Sequence, residues 1–367
     1  MKVLTLFGTR PEIIRLSRVI ARIDAHAEQI LVHTGQNYDP SLSDIFFRDL
    51  GVRHPDIHLG VKEGSFPEQA AQIIARSADV FVSQKPDRLL ILGDTNSGLA
   101  SIIAARMRIP VFHMEAGNRC YDDRVPEEIN RRIIDHCSDV LMPYTHRSKE
   151  ALLREGIDRR RIFVTGNPIY EVLQHYGKAI DGSAILRSLQ LREREYFLVT
   201  LHRAENVDDP KRLALFLRGL ERIAEAFGKP LVISTHPRTR DRLSRYGLTP
   251  ASDRLRLLAP LGFFDFVRLE KSAFCVLSDS GTVQEECCIF GVSNVTLRDV
   301  TERPETLECG SNILSGAEPD AIERAVRIAT GGAQWEVPSE YVVRNVSQTV
   351  VKIVLGYSHE IETTSSH

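Results

Sequence analysis

The sequence has no apolar run long enough to span a membrane, no block of like charge, no cysteine pair at metal-ligand spacing and no nicotinamide-type glycine fingerprint. Each absence removes a class of function. With 47 basic against 49 acidic residues, a net charge of -2, there is no electrostatic footprint for nucleic acid or an anionic membrane surface. Any anion must then be held by a local cluster, and the partner is expected to be small. The six cysteines (Cys120, Cys137, Cys275, Cys287, Cys288 and Cys309) lack zinc-type spacing, and adjacent Cys287-Cys288 is a poor start for a disulfide framework. Reduced core thiols and no metal are expected. Gly8-Thr9-Arg10 lacks the second and third glycines of a dinucleotide turn, which argues against redox chemistry and for a reaction without a cofactor. The first residues run straight into a strand with no apolar signal segment, so a cytoplasmic protein is expected.

What is present is an alternation of strands and helices over 367 residues, too long for one ordinary core, with 43% hydrophobic and 26% charged residues. Lys2 to Phe7, Ile30 to Thr34, Arg88 to Leu92, Val111 to Met114, Val140 to Met142 and Ile162 to Val164 have the length and β-branched content of strands. Helical spacing follows most of them: from Pro11, around Leu42 to Leu50, from Pro67 to about Gln84, around Leu99 to Met107, from Pro126, and over Arg147 to Glu155. The series breaks at Thr165-Gly-Asn-Pro168 and restarts at Tyr196 to Thr200, continuing through Leu231 to Thr235, Arg254 to Leu258, Phe274 to Leu277 and Ser293 to Leu297. Such alternation predicts mostly parallel sheets covered on both faces. The expected fold class is α/β, two doubly wound Rossmann-like domains facing a central cleft. Their bounds are set at 1–171 and 172–339, with a closing helical segment 340–357, amphipathic over roughly Glu340 to Leu355, joining the first; the tail Gly356 to His367 is expected to fray.

Chemistry in such sheets collects at the carboxyl ends of the strands. The stretch that best shows this is Phe274 to Glu286, read as strand, tight turn and helix: Ser278-Asp279-Ser280-Gly281 offers backbone N–H groups and hydroxyls at a helix N-terminus, which favours an anion such as a diphosphate. An ordinary capped helix start is the bland alternative. Glu286, about one helical turn further on, is in reach of ribose hydroxyls. His202, Arg203, Ser280, Gly281 and Arg303, all on loops after strands, make a donor-rich cradle in the second half. In the first half Arg10, Arg15, Asp94, Glu115 and Glu127 set a few carboxylates beside bases. Capping would explain Asp94 before Thr-Asn-Ser, and dipole complementarity the carboxylates behind Pro126, whereas Glu115 before Ala-Gly is a poor cap. A nucleoside diphosphate on the second half, its sugar facing the carboxylates of the first, satisfies both sets. Two classes remain: a glycosyltransferase passing the sugar to an acceptor, or an enzyme that rearranges the sugar on its own nucleotide.

Gly8-Thr-Arg-Pro-Glu12, Gly93-Asp-Thr95, Glu115-Ala-Gly117, Pro126-Glu-Glu-Ile-Asn-Arg131, His202-Arg203, Asp279-Ser-Gly281, Gln284-Glu-Glu286 and Thr301-Glu-Arg-Pro-Glu305 resemble, in order and over nearly the whole chain, the motif series of the non-hydrolysing UDP-N-acetylglucosamine 2-epimerases. The resemblance implies the fold of the two-Rossmann glycosyltransferases known as GT-B, a homodimer, and inversion at C2 of a UDP-2-acetamido sugar through loss of UDP to a 2-acetamidoglycal and its re-addition. It implies Asp94, Glu115 and Glu127 as acid/base groups with His202 on the phosphate side. Arg10, Arg15, Arg203, Ser280, Gly281, Thr282 and Arg303 would then hold the UDP-sugar, with Phe266 near uracil and Glu286 on the ribose. Departures are Arg15 for the family's lysine, Thr282 for a glycine, Leu261 for a glutamine near the base, and Gly35-Gln-Asn-Tyr-Asp39 for the Gln-His loop of allosterically activated members. Glu115 to Cys120 with Arg124 to Asn130 resembles the subgroup making UDP-N-acetyl-L-fucosamine from the 6-deoxy-L-talose epimer, while Thr200 to Val207 resembles the UDP-N-acetylglucosamine enzymes. The sugar stays open between them. Dependence on an acceptor would mark a GT-B glycosyltransferase instead, binding without C2 exchange a UDP-sugar sensor, and release of free N-acetylmannosamine a hydrolysing epimerase.

Overall fold

The computed structural model describes residues 1–35, 46–61, 64–332 and 334–357. The loop expected over Gln36 to Asp39, the first part of the helix expected over Leu42 to Leu50, Glu63, and the tail beyond Tyr357 lie outside the described residues. The chain forms two compact units, residues 1–172 together with the chain from Val343 on, and Leu173–Val342.

In the first unit β1 (Lys2–Phe7), β2 (Glu28–His33), β3 (Ile57–His58), β4 (Arg88–Leu92), β5 (Val111–Met114) and β6 (Val140–Met142) make one sheet in the order β3-β2-β1-β4-β5-β6, every pair parallel. In the second, β7 (Phe197–Leu201), β8 (Leu231–Thr235), β9 (Leu255–Leu258), β10 (Cys275–Ser278), β11 (Asn294–Thr296) and β12 (Asn312–Leu314) run in the order β12-β11-β10-β7-β8-β9, again all parallel. Counted from its own first strand, each sheet has the order 3-2-1-4-5-6. That order places a topological switch point between β1 and β4 in one unit and between β7 and β10 in the other, where a doubly wound sheet opens its ligand crevice.

The cores explain why the strands read as continuous apolar runs. Successive side chains leave a strand on opposite faces, and here both faces are covered. Val199 and Leu277 pack with Phe216, Leu220 and Ile322 on one side of the second sheet. Their neighbours Leu198 and Val276 pack with Leu269, Val283 and Cys287 on the other. In the first unit Leu4, Leu6, Leu89 and Ile91 meet Ile73, Phe81, Ala100 and Ile134. Among the described residues no helix is long and apolar enough to cross a membrane.

Two elements differ from expectation. Ile162 to Val164 forms only an isolated bridge from Ile162 to Leu141. Phe163 donates to Leu141 O at 2.9 Å and Thr165 to Pro143 O at 3.0 Å, but Pro143 has no N–H to return, so the ladder does not grow. The closing helix is not continuous from Glu340: a 3-10 turn, Ser339–Tyr341, precedes a helix over Val346–Gly356. Tyr341 is buried in the second unit with its hydroxyl 3.4 Å from Glu305, whereas Ser347, in the first, donates to Glu171 through N at 2.8 Å and Oγ at 2.5 Å. The chain changes units between them, and one straight helix cannot serve two cores. β3, β12 and the helices Ile169–His175 and Pro319–Ala329 are further elements that the apolar pattern did not single out.

Candidate active site

In the first unit β1 turns at Gly8-Thr9 into the helix Arg10–Asp24, and Glu12 reaches back to close the turn. Its Oε2 accepts from Gly8 N (3.0 Å), Thr9 N (2.8 Å) and Thr9 Oγ1 (2.7 Å), a capping box, while Oε1 accepts from Thr95 Oγ1 at 3.1 Å and so ties this turn to the one after β4. Burial pushes the Glu12 carboxyl up to about 7, against the pull of the Thr9, Gly8 and Thr95 donors. Arg10 lies with its guanidinium 5.7 Å from the Phe46 ring centre. One turn on, Arg15 is buried, donates through Nη1 to Glu115 Oε2, and stacks over Tyr144.

Glu115 is held in the left-handed region, φ 66°, as β5 ends, a conformation that non-glycine residues adopt only when their surroundings fix it. Its N–H donates to Met142 O at 3.1 Å, and Asn118 Nδ2 donates to its Oε1 at 3.2 Å. Two residues on, Gly117 has φ 79°, and a Cβ there would sit 2.3 Å from Ser148 O, so the turn admits only glycine. Beneath it Asp135, fully buried, accepts from Gly117 N at 3.1 Å and meets His113 Nδ1 and Arg119 Nη2, each at 2.8 Å. His113 Nε2 faces Gly93 O at 2.9 Å, linking the turns after β4 and β5. Burial alone would raise the Asp135 carboxyl, but His113 and Arg119 hold it below the usual range.

Asp94 follows Gly93 at the end of β4. Its Oδ2 accepts from Arg131 Nε at 2.8 Å and lies 2.6 Å from Nη2, while Arg131 Nη1 meets Glu128 Oε2 at 2.8 Å. Asp94 therefore faces an arginine, and the cap of the following 3-10 turn is Thr95. Glu128 also accepts from the N–H groups of Cys120 (3.0 Å) and Tyr121 (3.1 Å). Glu127, half-buried, stands beside it in the first turn of the helix Pro126–Cys137.

In the second unit the organiser is Asp279, with no exposed surface. Its Oδ2 accepts from the backbone N–H groups of His202 and Arg203, each at 2.8 Å, and from Asn206 Nδ2 at 3.2 Å. His202 Nδ1 lies 2.9 Å from Oδ1, which fixes the ring and turns Nε2 away from the carboxylate. Burial would raise Asp279, but His202 and the two N–H donors hold it well below the usual carboxylate range. Behind it the helix Gly281–Phe290 begins, with Ser280 at its N-cap and Thr282 in its first turn. Glu302 Oε2 accepts from Arg298 Nη1 at 2.7 Å, and its Oε1 is 3.4 Å from Arg203 Nη2. That Oε1 also stands 2.6 Å from where a Cβ on Gly281 would fall, with Arg303 Cζ at 3.7 Å from the same point. Arg303 is buried and donates through Nε to Glu285. Phe266, on the helix Phe263–Ser272, packs against the core that includes Val283 and Cys287, and Glu286 is buried on the next helix.

Glu115 is thus joined to Arg15 and Asp94 to Arg131 in the first unit, and His202, Arg203, Ser280, Gly281 and Arg303 cluster in the second. Sequence reasoning gave no role to Glu12, Asp135, Asp279 or Glu302; the signal for Asp279 lay in the same turn as Ser280, and for Arg131 in the Pro126 to Arg131 motif. Among the described residues no group of three or more His, Cys, Asp or Glu side chains is placed to hold a metal, and the six cysteines are free.

A family model described as UDP-N-acetylglucosamine 2-epimerase matches residues 21–355. The chain is 40% identical over 347 residues to UDP-N-acetylglucosamine 2-epimerase of Methanocaldococcus jannaschii, covering 92% of this chain and 95% of the relative. It is 37% identical over 336 residues to UDP-2,3-diacetamido-2,3-dideoxy-D-glucuronate 2-epimerase of Pseudomonas aeruginosa, covering 90% and 93%. The crystal structure of the M. jannaschii enzyme in complex with UDP-GlcNAc and UDP superposes with a TM-score of 0.92 at 37% identity, over 96% of this chain and 99% of that one.

Proposed function

The chain belongs to the UDP-N-acetylglucosamine 2-epimerase family, and from that footing we propose that it inverts C2 of a UDP-2-acetamido sugar without hydrolysis, interconverting UDP-N-acetylglucosamine and UDP-N-acetylmannosamine. The observation that carries the reading is the placement of two carboxylates, Asp94 and Glu115, each against a buried arginine, at the carboxyl ends of adjacent strands β4 and β5. A C–H bond at C2 is weakly acidic, so moving its proton calls for carboxylates positioned on the sugar and shielded from water. In the proposed reaction a carboxylate takes the C2 proton, the released electron pair forms the C1–C2 double bond, and the C1–O bond breaks with UDP departing. A diphosphate oxygen then re-adds to C1 while a carboxylic acid returns a proton to the other face of C2. Asp94, Glu115 and Glu127 supply these groups, and Arg15 and Arg131 hold two of them in place.

The departing diphosphate needs donors where charge develops. Those assigned here are the Ser280-Gly281-Thr282 helix start, His202 held by Asp279, and Arg10, Arg203 and Arg303. Phe266 and Glu286 take the uracil and the ribose. The working form is proposed to be a cytoplasmic homodimer, which sedimentation of the purified chain checks.

A second reading concerns the sugar alone. The likeness to the diacetamido-glucuronate enzyme nearly equals that to the N-acetylglucosamine one, and Glu115 to Cys120 with Arg124 to Asn130 resembles the UDP-N-acetyl-L-fucosamine subgroup. Proton NMR in D2O, with UDP-N-acetylglucosamine, the UDP-2-acetamido-2,6-dideoxy-L-talose epimer and the UDP-diacetamido-glucuronate in parallel and no acceptor, tests both readings. Deuterium entering C2 of an intact UDP-sugar is expected, fastest for the true substrate. Binding of all three without exchange would overturn the epimerase.

A further inference from the structure

Glu115 is buried, and its carboxylate is held on both oxygens: Arg15 Nη1 donates to Oε2, and Asn118 Nδ2 donates to Oε1 at 3.2 Å. Both donors are themselves buried. A glutamate side chain turns about three bonds, so a single partner lets the carboxylate pivot about that contact. A second donor on the other oxygen fixes its plane.

The direction of the Asn118 amide follows from its neighbours. An ionised carboxylate only accepts, so the Asn118 atom that faces Glu115 is the nitrogen. At the other end Asn118 Oδ1 accepts from Ser148 Oγ at 2.9 Å. Ser148 Oγ in turn accepts from Thr145 Oγ1 at 3.2 Å, which leaves its single proton for Asn118. Donation thus runs in one sense, from Thr145 through Ser148 and Asn118 to Glu115. The backbone holds each member of this chain. Thr145 caps the helix His146–Arg154 and accepts from Ser148 N at 3.1 Å. The carbonyl of Asn118 accepts from Arg119 Nη1 at 2.7 Å, and Arg119 is clamped by both oxygens of Glu155. Gly117 lies so close to Ser148 O that the turn carrying Glu115 and the helix start carrying Ser148 are pressed together.

We propose that Asn118 is a positioning residue for the proton transfer at C2: its amide, aimed by Ser148, fixes the Glu115 carboxylate in the plane it shares with the Arg15 contact, so that the carboxylate meets the C2–H bond in one orientation. The inference rests on Glu115 being one of the acid/base groups. Proton transfer from carbon tolerates little misalignment, and a donor anchored by the fold supplies the alignment before the sugar arrives.

Asn118→Asp tests this by exchanging one group. The variant keeps the shape of the side chain and an oxygen for Ser148, but sets an acceptor against the Glu115 acceptor. The assay is C2 exchange in D2O, followed by proton NMR, of the UDP-sugar that wild type exchanges fastest. There kcat is expected to fall roughly tenfold or more, the share of one hydrogen bond to a charged group, while KM and calorimetric UDP affinity stay near wild type. The isotope effect on kcat with substrate deuterated at C2 should rise at the same time, because proton transfer is the step that slows. Ser148→Ala, which releases the amide to turn over, should lower kcat roughly threefold in the same pattern. On a Glu115→Gln background neither substitution should cost anything further, because both act through the Glu115 carboxylate. If the aspartate variant does not fold, Ser148→Ala decides the matter alone on the two backgrounds. An equal loss on both backgrounds would mark a merely structural role and overturn the assignment, as would an unchanged kcat, and either would leave the epimerase reading intact. No C2 exchange by wild type with any of the three UDP-sugars would overturn that reading and this inference with it.

Discussion

The two units share one strand order and put opposite chemistry at the same place in it. Around the first switch point the cations are spent on carboxylates: Arg15 on Glu115, Arg131 on Asp94 and Glu128, Arg119 on Asp135. Around the second, arginines are paired as well, Arg298 with Glu302 and Arg303 with Glu285, but one carboxylate, Asp279, gathers backbone N–H groups and the His202 ring beside a helix start. Topology supplies the crevice, and in the proposed reaction side-chain pairing decides whether it handles protons or anions. The largest effects are expected where that division is tested directly. Asp94→Asn, Glu115→Gln and Glu127→Gln should each lower C2 exchange by about 10²- to 10⁴-fold, the share that acid/base assistance carries, with calorimetric UDP affinity held near wild type. A variant that keeps its turnover and loses UDP instead would place proton handling outside the first unit and break the division.

The division also has a pH signature, because each switch-point turn is organised by a buried carboxyl shifted in the opposite sense. Unfolded, Glu12 ionises at 4.5, and folded at about 7. Between those values the unfolded chain has released a proton that the folded one keeps, so the stability present below 4.5 is lost as pH rises through about 7. The loss is on the order of 3 kcal/mol, at about 1.4 per pH unit. Asp279 runs the other way: its contribution is present above the ordinary aspartyl value of 3.8 and disappears as pH falls through the lower folded value. Urea unfolding from about pH 4 to about pH 8 should show Glu12→Gln gaining on wild type as pH rises. Parallel stability curves for wild type and Glu12→Gln would remove the assignment to Glu12.

How much of this was legible in the sequence depends on distance along the chain. The run from Phe274 to Glu286 declares a strand, a turn and a helix within thirteen residues, and the structure has Cys275–Ser278 followed by Gly281–Phe290. Period, turn residues and helix formers are local properties, so local reading finds them. The same reading set Asp94, Glu115 and His202 just after strands. It did not supply the partners: Arg15 and Glu115 are 100 residues apart, and Asp279 and His202 are 77. Such pairs form only once the sheet order is fixed, and a six-stranded parallel order is a non-local fact. β3 is two residues long, too short for any period to register, and β12 has only Ile313 and Leu314 behind Asn312, so their pairing comes from neighbours already in place. The single bridge at Ile162 fails for a reason visible only across the ladder, the missing N–H of Pro143.

The smallest effect is expected at the helix start of the second unit, and it sharpens the comparison most. A methyl group on Gly281 would fall 2.6 Å from Glu302 Oε1, which Arg298 holds through the other oxygen at 2.7 Å. Glu302 gives way only by loosening that buried pair, and its movement carries Arg203, 3.4 Å from the same oxygen. Gly281→Ala should then weaken UDP binding roughly tenfold, in keeping with the ~1–2 kcal/mol that a partly buried helix N-terminus contributes toward an anion. KM for the UDP-sugar should rise in step while kcat stays close to wild type, because the carboxylates of the first unit are untouched. A kcat that falls while UDP still binds as in wild type would assign this turn to the chemical step rather than to holding the diphosphate, and the two units would no longer divide the work between them.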